Sequence, residues 1–187
     1  MKNNNGTVFA ALLLAVGMPV FAATPPQNTV PSSQVAGQTA YDISSRVHHE
    51  LVMLPFLTIF DNLAYRVDGT TVTLVGQVTR PVVKQDAERV VKNIEGVSAV
   101  QNAIEVLPLS PMDNQIRWAE ARSIYSFPTL NRYGAGTQPS IHIVVKNGNV
   151  TLVGLVNNQT DKNIAGIRAN QVPGVFSVQN ELQVVKS

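Results

Sequence analysis

The sequence predicts an α+β protein built from two αββαβ units, each with two helices packed on a three-stranded mixed sheet. Three observations carry that prediction. Val72-Thr73-Leu74-Val75-Gly76 returns 78 residues later as Val150-Thr151-Leu152-Val153-Gly154. Val100-Gln101-Asn102 returns at the same spacing as Val178-Gln179-Asn180, and Gly96-Val97 as Gly174-Val175. The offset holds without a gap from Val67/Val145 to Val106/Val184. A shared register over two strands and the helix between them marks a duplicated folding unit.

The elements follow from periodicity. In the first unit Ile43, Val47, Leu51 and Leu54 recur at spacings of four, four and three, one face of a helix. Leu63 to Val67 and Val72 to Val78 form a hairpin across Asp68-Gly69, a pair that tolerates positive φ. Pro81 opens a second helix at the position where its missing N–H costs nothing. Val83, Ala87, Val90 and Ile94 are its buried stripe, and Gly96 ends it. Val97 to Val106 is the closing strand.

The second unit repeats the order. A helix runs from about Asn114 to Tyr125. Ile141 to Val145 and Val150 to Val156 turn at Asn147-Gly148, a helix spans about Thr160 to Gln171, and Val175 to Val184 closes the unit. Arg46 and Phe56 match Arg117 and Phe127 at an offset of 71, so the second copy gains seven residues between its first helix and first strand, within Asn131 to Ser140.

Around the repeats, residues 1–22 read as a secretory signal peptide. They contain one positive charge (Lys2), the apolar run Val8 to Val16, and Pro19 before Val20-Phe21-Ala22. Cleavage is expected after Ala22, with Ala23 as the alternative. Residues 23–41, uncharged and rich in Pro, Ser, Thr and Gln, are expected to be a flexible leader. The first domain is assigned to 42–108, a stiff Pro-rich linker to 109–112, and the second domain to 113–187. The chain has no cysteine, which removes disulfides, thiolate metal sites and a lipidated N-terminus together.

The V-T-L-x-G strand, the helix after it, and the G-V-x-x-V-x-N run before a closing strand resemble the BON domain. Val72 to Gly76 with Gly96 to Asn102 carry the resemblance once, and Val150 to Gly154 with Gly174 to Asn180 carry it again. The motif residues are structural. The resemblance implies two BON sandwiches in an exported, periplasmic envelope protein. It further implies contact with phospholipid surfaces and a role in osmotic stress or envelope integrity.

No catalytic constellation is readable, so the protein is expected not to be an enzyme and to need no cofactor. His48 and His49 are adjacent on a helix and point about 100° apart, which prevents both from facing one metal. His142 alternates with Ile141 and Ile143 on a strand and is expected at a surface or interface. The acids form no clustered pair. A nucleic-acid role is not expected either, because no G-x-x-G clamp joins two helices.

Charge and aromatic residues direct attention to the second unit. Residues 42–108 hold six basic and eight acidic side chains, net −2, while 113–187 hold seven and four, net +3. Trp118, Ala121 and Tyr125 share one face of the first helix of that unit, nearly opposite Ile116 and Phe127. Either stripe could be the buried one. At the offset of 71 Trp118 aligns with Val47 and Tyr125 with Leu54, which favours the core, whereas flanking arginines favour an interface. The expected contact set for an anionic phospholipid surface is Arg117, Trp118, Arg122 and Tyr125 on the helix, with Arg132 and Tyr133 in the inserted loop. The alternative is a periplasmic protein-binding or chaperone-like module with an envelope protein as partner. The apolar run Leu51 to Phe60 belongs either to such a surface or to the core of the first unit, and the core is the preferred assignment.

Overall fold

A computed structural model describes residues 32–135 and 139–185, with side chains from 42 onward. The expected signal-peptide cleavage and leader residues 23–31 lie outside the described residues.

In the first repeat, helix α1 spans Ser32–Val52, so residues 32–41 of the expected flexible leader are helical. Strands β1 (Asn62–Asp68) and β2 (Thr71–Val78) pair antiparallel, with Tyr65 opposite Leu74. Helix α2 (Pro81–Lys92) then carries the chain across to β3 (Ala99–Val106), which pairs parallel to β2. The sheet order is β1-β2-β3. Pro81 starts α2 as expected, but the helix is capped at Asn93, three residues before Gly96.

Helix α3 (Pro111–Tyr125) opens the second repeat. Two residues of the expected linker, Pro111 and Met112, belong to this helix, because Ser110 caps it by accepting the Asp113 N–H at 3.1 Å. A 3-10 turn (Asn131–Gly134) occupies the start of the insertion, and residues 136–138 lie outside the described set. Strands β4 (Ile141–Lys146) and β5 (Asn149–Val156) pair antiparallel, helix α4 (Gln159–Asn170) crosses over, and the chain returns parallel to β5. The expected last strand is split into β6 (Ser177–Asn180) and β7 (Gln183–Val184), both on β5, with Leu182 buried between them.

The repeated residues do the same work twice. A Cβ at Gly76 would lie 2.0 Å from the Asn62 carbonyl oxygen, and one at Gly154 would lie 1.9 Å from that of Ser140. Both glycines also take positive φ, +117° and +129°. Asn102 donates to the Lys84 carbonyl at 3.0 Å and accepts the Ile104 N–H. Asn180 donates to the Lys162 carbonyl at 2.7 Å and accepts the Leu182 N–H. Each asparagine thus ties the return strand to the crossover helix.

Each repeat has its own core. Ile43, Val47, Leu51 and Leu54 meet Val72, Leu74, Val83, Ala87, Val91 and Ile104 in the first. Ile116, Ala121 and Ile124 meet Ile141, Ile143, Val150, Leu152, Ala165 and Leu182 in the second. The run Leu51 to Phe60 does not all serve the first core as expected. Leu51 and Leu54 do, but Phe60 is buried in the second core and Ile59 packs beside it. The Ile59 carbonyl accepts the Ile143 N–H at 2.8 Å, which joins this segment to β4. Lys146 and Glu105 add an ion pair between the repeats at 2.6 Å.

Candidate functional site

The site is built on α3 and the turn that follows it. The buried face of α3 carries Asp113, Ile116, Arg117, Glu120, Ala121 and Ile124. Its counterpart on α1 is Ile43, Val47, Leu51 and Leu54. Burial therefore aligns Val47, Leu51 and Leu54 with Arg117, Ala121 and Ile124, at an offset of 70 rather than 71. That one-residue difference turns the helix by about 100°. It moves Trp118 off the core and leaves it 65% exposed, with its ring edge on Phe60.

The six expected contact residues divide accordingly. Trp118, Arg122 and Arg132 face solvent. Arg117 does not: it is 4% exposed and donates to the Val145 carbonyl at 2.7 Å and to Asn114 at 2.6 Å. Burial holds its guanidinium below the usual range, against the opposing pull of Asp113 and Asp61. Tyr125 is half-buried, donates to the Ile141 carbonyl, and has its hydroxyl pKa raised by burial. Tyr133 is buried. Its hydroxyl donates to Asp161 at 2.6 Å and accepts the Asn157 N–H at 2.9 Å, and burial followed by the Asp161 bond raises its pKa. Arg117, Tyr125 and Tyr133 thus support the site from inside.

Trp118 borders a groove of about 580 Å³ between the repeats, lined also by Thr58, Ile59, Arg80, Pro108 and Leu109. Leu109 is 92% exposed. At one end Arg80 lies over the exposed Phe56 ring, 5.6 Å from its centroid.

Charge on the second repeat is one-sided at the surface for a reason the net charge hides. Three of its four acids, Asp113, Glu120 and Asp161, are buried, and Glu181 alone faces solvent. Asp113 accepts the N–H groups of Asn147 and Gly148 and so holds the β4-β5 turn. Asp161 accepts from Tyr133 and Asn158. Among the described residues Glu120 has no hydrogen-bond partner on either oxygen, and burial pushes its pKa up to about 8. Arg122, Arg132, Lys162 and Arg168 have no carboxylate within ion-pair distance among the described residues. By contrast, four ion pairs lie within the first repeat: Arg46–Glu95, Arg66–Asp68, Arg89–Asp86 and Lys92–Glu88.

Two arginines of the second repeat are held over aromatic rings. Arg168, in the last turn of α4, sits over Phe127 with its guanidinium 5.5 Å from the ring centroid, and its Nε donates to the Ser123 carbonyl at 3.1 Å. Arg132 sits over Tyr133 at 5.8 Å, and its Nε donates to the Thr129 carbonyl at 2.8 Å. No sequence pattern links residue 168 to residue 127, so only tertiary packing reveals the first pair.

His48 and His49 are exposed on α1. His142 is half-buried with its Nδ1 unpartnered, and burial lowers its pKa despite a bond to the Asp61 backbone. Among the described residues no group of three or more His, Asp or Glu side chains is placed to share a metal ion. No helix among them is long and apolar enough to cross a membrane.

No curated protein matches the chain. Among solved structures, it is similar to CdsD, described as a structural protein of the type III secretion system of Chlamydia trachomatis. Identity is 12%, coverage 78% of this chain and 93% of that one, and the TM-score 0.32. The CdsD C-terminal domain gives 12% identity, coverage of 78% and 98%, and a TM-score of 0.28. Likenesses this loose carry no argument. The family model of the BON domain matches twice, over residues 42–108 and 129–186, one match on each sheet with its crossover helix. The chain belongs to the BON domain family and carries the domain in tandem.

Proposed function

We propose that this protein is an exported, non-catalytic envelope protein of the periplasm whose second BON domain docks on anionic phospholipid surfaces. The observation that carries the reading is the surface charge of that domain, where Arg122, Arg132, Lys162 and Arg168 have no carboxylate partner among the described residues and three acids are withdrawn into the interior. Near an anionic membrane each such cation contributes about 1 kcal/mol. Trp118 and Leu109 supply exposed apolar surface beside the cations, the pairing that suits the headgroup region. Arg122 lies one turn along α3 from Trp118 and adds attraction on the same side.

Co-sedimentation of the mature protein with vesicles tests this. Binding is expected to require anionic lipid, to fall with salt because exposed charges are screened over about 8–10 Å, and to weaken in Arg122→Glu with the fold intact. Equal binding to neutral and anionic vesicles, or binding to neither, would overturn it. The groove between the repeats favours a second reading, a protein- or peptide-binding module, and such binding would show no dependence on lipid charge.

A further inference from the structure

The last turn of α4 and the 3-10 turn after α3 present two arginines in a way that simple charge attraction does not require. Arg132 and Arg168 each hold the guanidinium carbon over an aromatic ring, 5.8 Å from the Tyr133 centroid and 5.5 Å from that of Phe127, and each has its Nε bonded to a backbone carbonyl. All four anchors, Ser123, Phe127, Thr129 and Tyr133, fall within eleven residues of chain. Phe127, Thr129 and Tyr133 belong to one tight turn, in which Phe127 accepts the N–H groups of Leu130 and Asn131. A guanidinium fixed through Nε against a ring has already lost much of its rotational freedom. Its outer Nη edge remains to meet an acceptor. Among the described residues Arg132 has no partner on either Nη, and Arg168 spends only Nη1, on a long 3.4 Å contact with Gln171. The parallel N–H groups of such an edge match two oxygens of a phosphate group.

We propose that the Nη edges of Arg132 and Arg168, held over Tyr133 and Phe127, each receive a phosphate group of a phospholipid headgroup. This rests on the docking of the second domain on anionic lipid and adds a requirement to it: recognition depends on guanidinium shape as well as on charge. The burial of Tyr133, its two hydrogen bonds and its place in the second core fix the Arg132 platform rigidly. Phe127 packs against the same core and does the same for Arg168.

The test uses the mature chain, vesicles containing phosphatidylglycerol, and the charge-conserving double variant Arg132→Lys/Arg168→Lys. Lysine keeps the charge but has neither the planar fork nor the stacking face. The variant is expected to bind about tenfold more weakly than wild type, the size of one bidentate contact. Phe127→Leu, which leaves both arginines but removes one platform, is expected to weaken binding in the same direction. Should the double variant lose its fold by circular dichroism, Arg132→Lys alone carries the test, since Arg132 is exposed and its Nε bonds only the Thr129 backbone carbonyl among the described residues. Lysine variants that bind as well as wild type would overturn this inference and leave the general docking intact. Wild type that ignores the vesicles but binds inorganic phosphate in an arginine-dependent way would overturn the lipid source. Wild type that binds neither would overturn both readings.

Discussion

Phe60 and Trp118 meet edge to face across the boundary between the repeats, with ring centroids 5.1 Å apart and planes at 79°. Phe60 belongs by sequence to the first repeat and by packing to the second core. Its truncation in Phe60→Ala is expected to cost about 3–5 kcal/mol, as for other buried phenylalanines. Urea unfolding followed by Trp118 fluorescence should show the midpoint moving down. A change within 1 kcal/mol, on the order of a surface substitution, would show that the contact is incidental.

Trp118→Ala should behave in the opposite way. Because the ring is largely exposed, loss of stability is expected to stay near 1 kcal/mol, the aromatic pair alone. Sedimentation with anionic vesicles is expected to fall by at least about fivefold, as loss of one interfacial aromatic anchor implies. A stable variant that still binds fully would remove Trp118 from the contact.

Glu120 makes stability depend on pH. In the fold its carboxyl keeps a proton up to about 8, while the unfolded chain releases it near the ordinary 4.5. Between those values the native state binds more protons than the unfolded state, so stability falls as pH rises. The contribution is intact below 4.5, is lost progressively toward 8, and changes no further above that. Glu120→Gln is expected to match wild type near pH 4.5 and to exceed it at pH 8–9, by on the order of 2–4 kcal/mol. Parallel denaturation curves for both proteins across that range would refute the assignment.

Gly76→Ala and Gly154→Ala are expected to be equally damaging. Each new methyl would overlap a carbonyl oxygen at 2 Å or less, and each backbone lies in the left-handed region. A loss of more than about 2 kcal/mol each is the expected scale. Thermal melts of the two variants should shift alike, and a benign alanine at either site would contradict the equivalence.

The strands and crossover helices were legible because duplication writes the same constraint twice. Gly76 and Gly154, or Asn102 and Asn180, meet backbone carbonyls at equivalent positions, so their spacing carries structural information. The first helices were not legible to the residue. Arg46 and Phe56 matched Arg117 and Phe127 at 71, but burial pairs Val47 with Arg117. An arginine at a core position contradicts hydrophobic patterning, and it is tolerated because its Nη atoms reach Val145 and Asn114. Tyr133 misled for a related reason. A tyrosine in a Gly-flanked insertion reads as surface, yet its hydroxyl is the partner that Asp161 needs inside. The destination of Phe60 depends on a fold contact with the other repeat, which no local period encodes.

The bond from Ile143 to Ile59, with Phe60 beside it, also separates two units that a sequence comparison equates. The stretch that recurs is one domain long, but the stretch that closes a core around Ile143 and Leu152 includes residues from before the linker. A fragment cut out at Pro108 would therefore carry the whole second repeat and still leave a phenylalanine-sized void in its interior. Duplication here left one copy lending part of itself to the other. Grafting the second copy onto another protein would require Ile59 and Phe60 to travel with it.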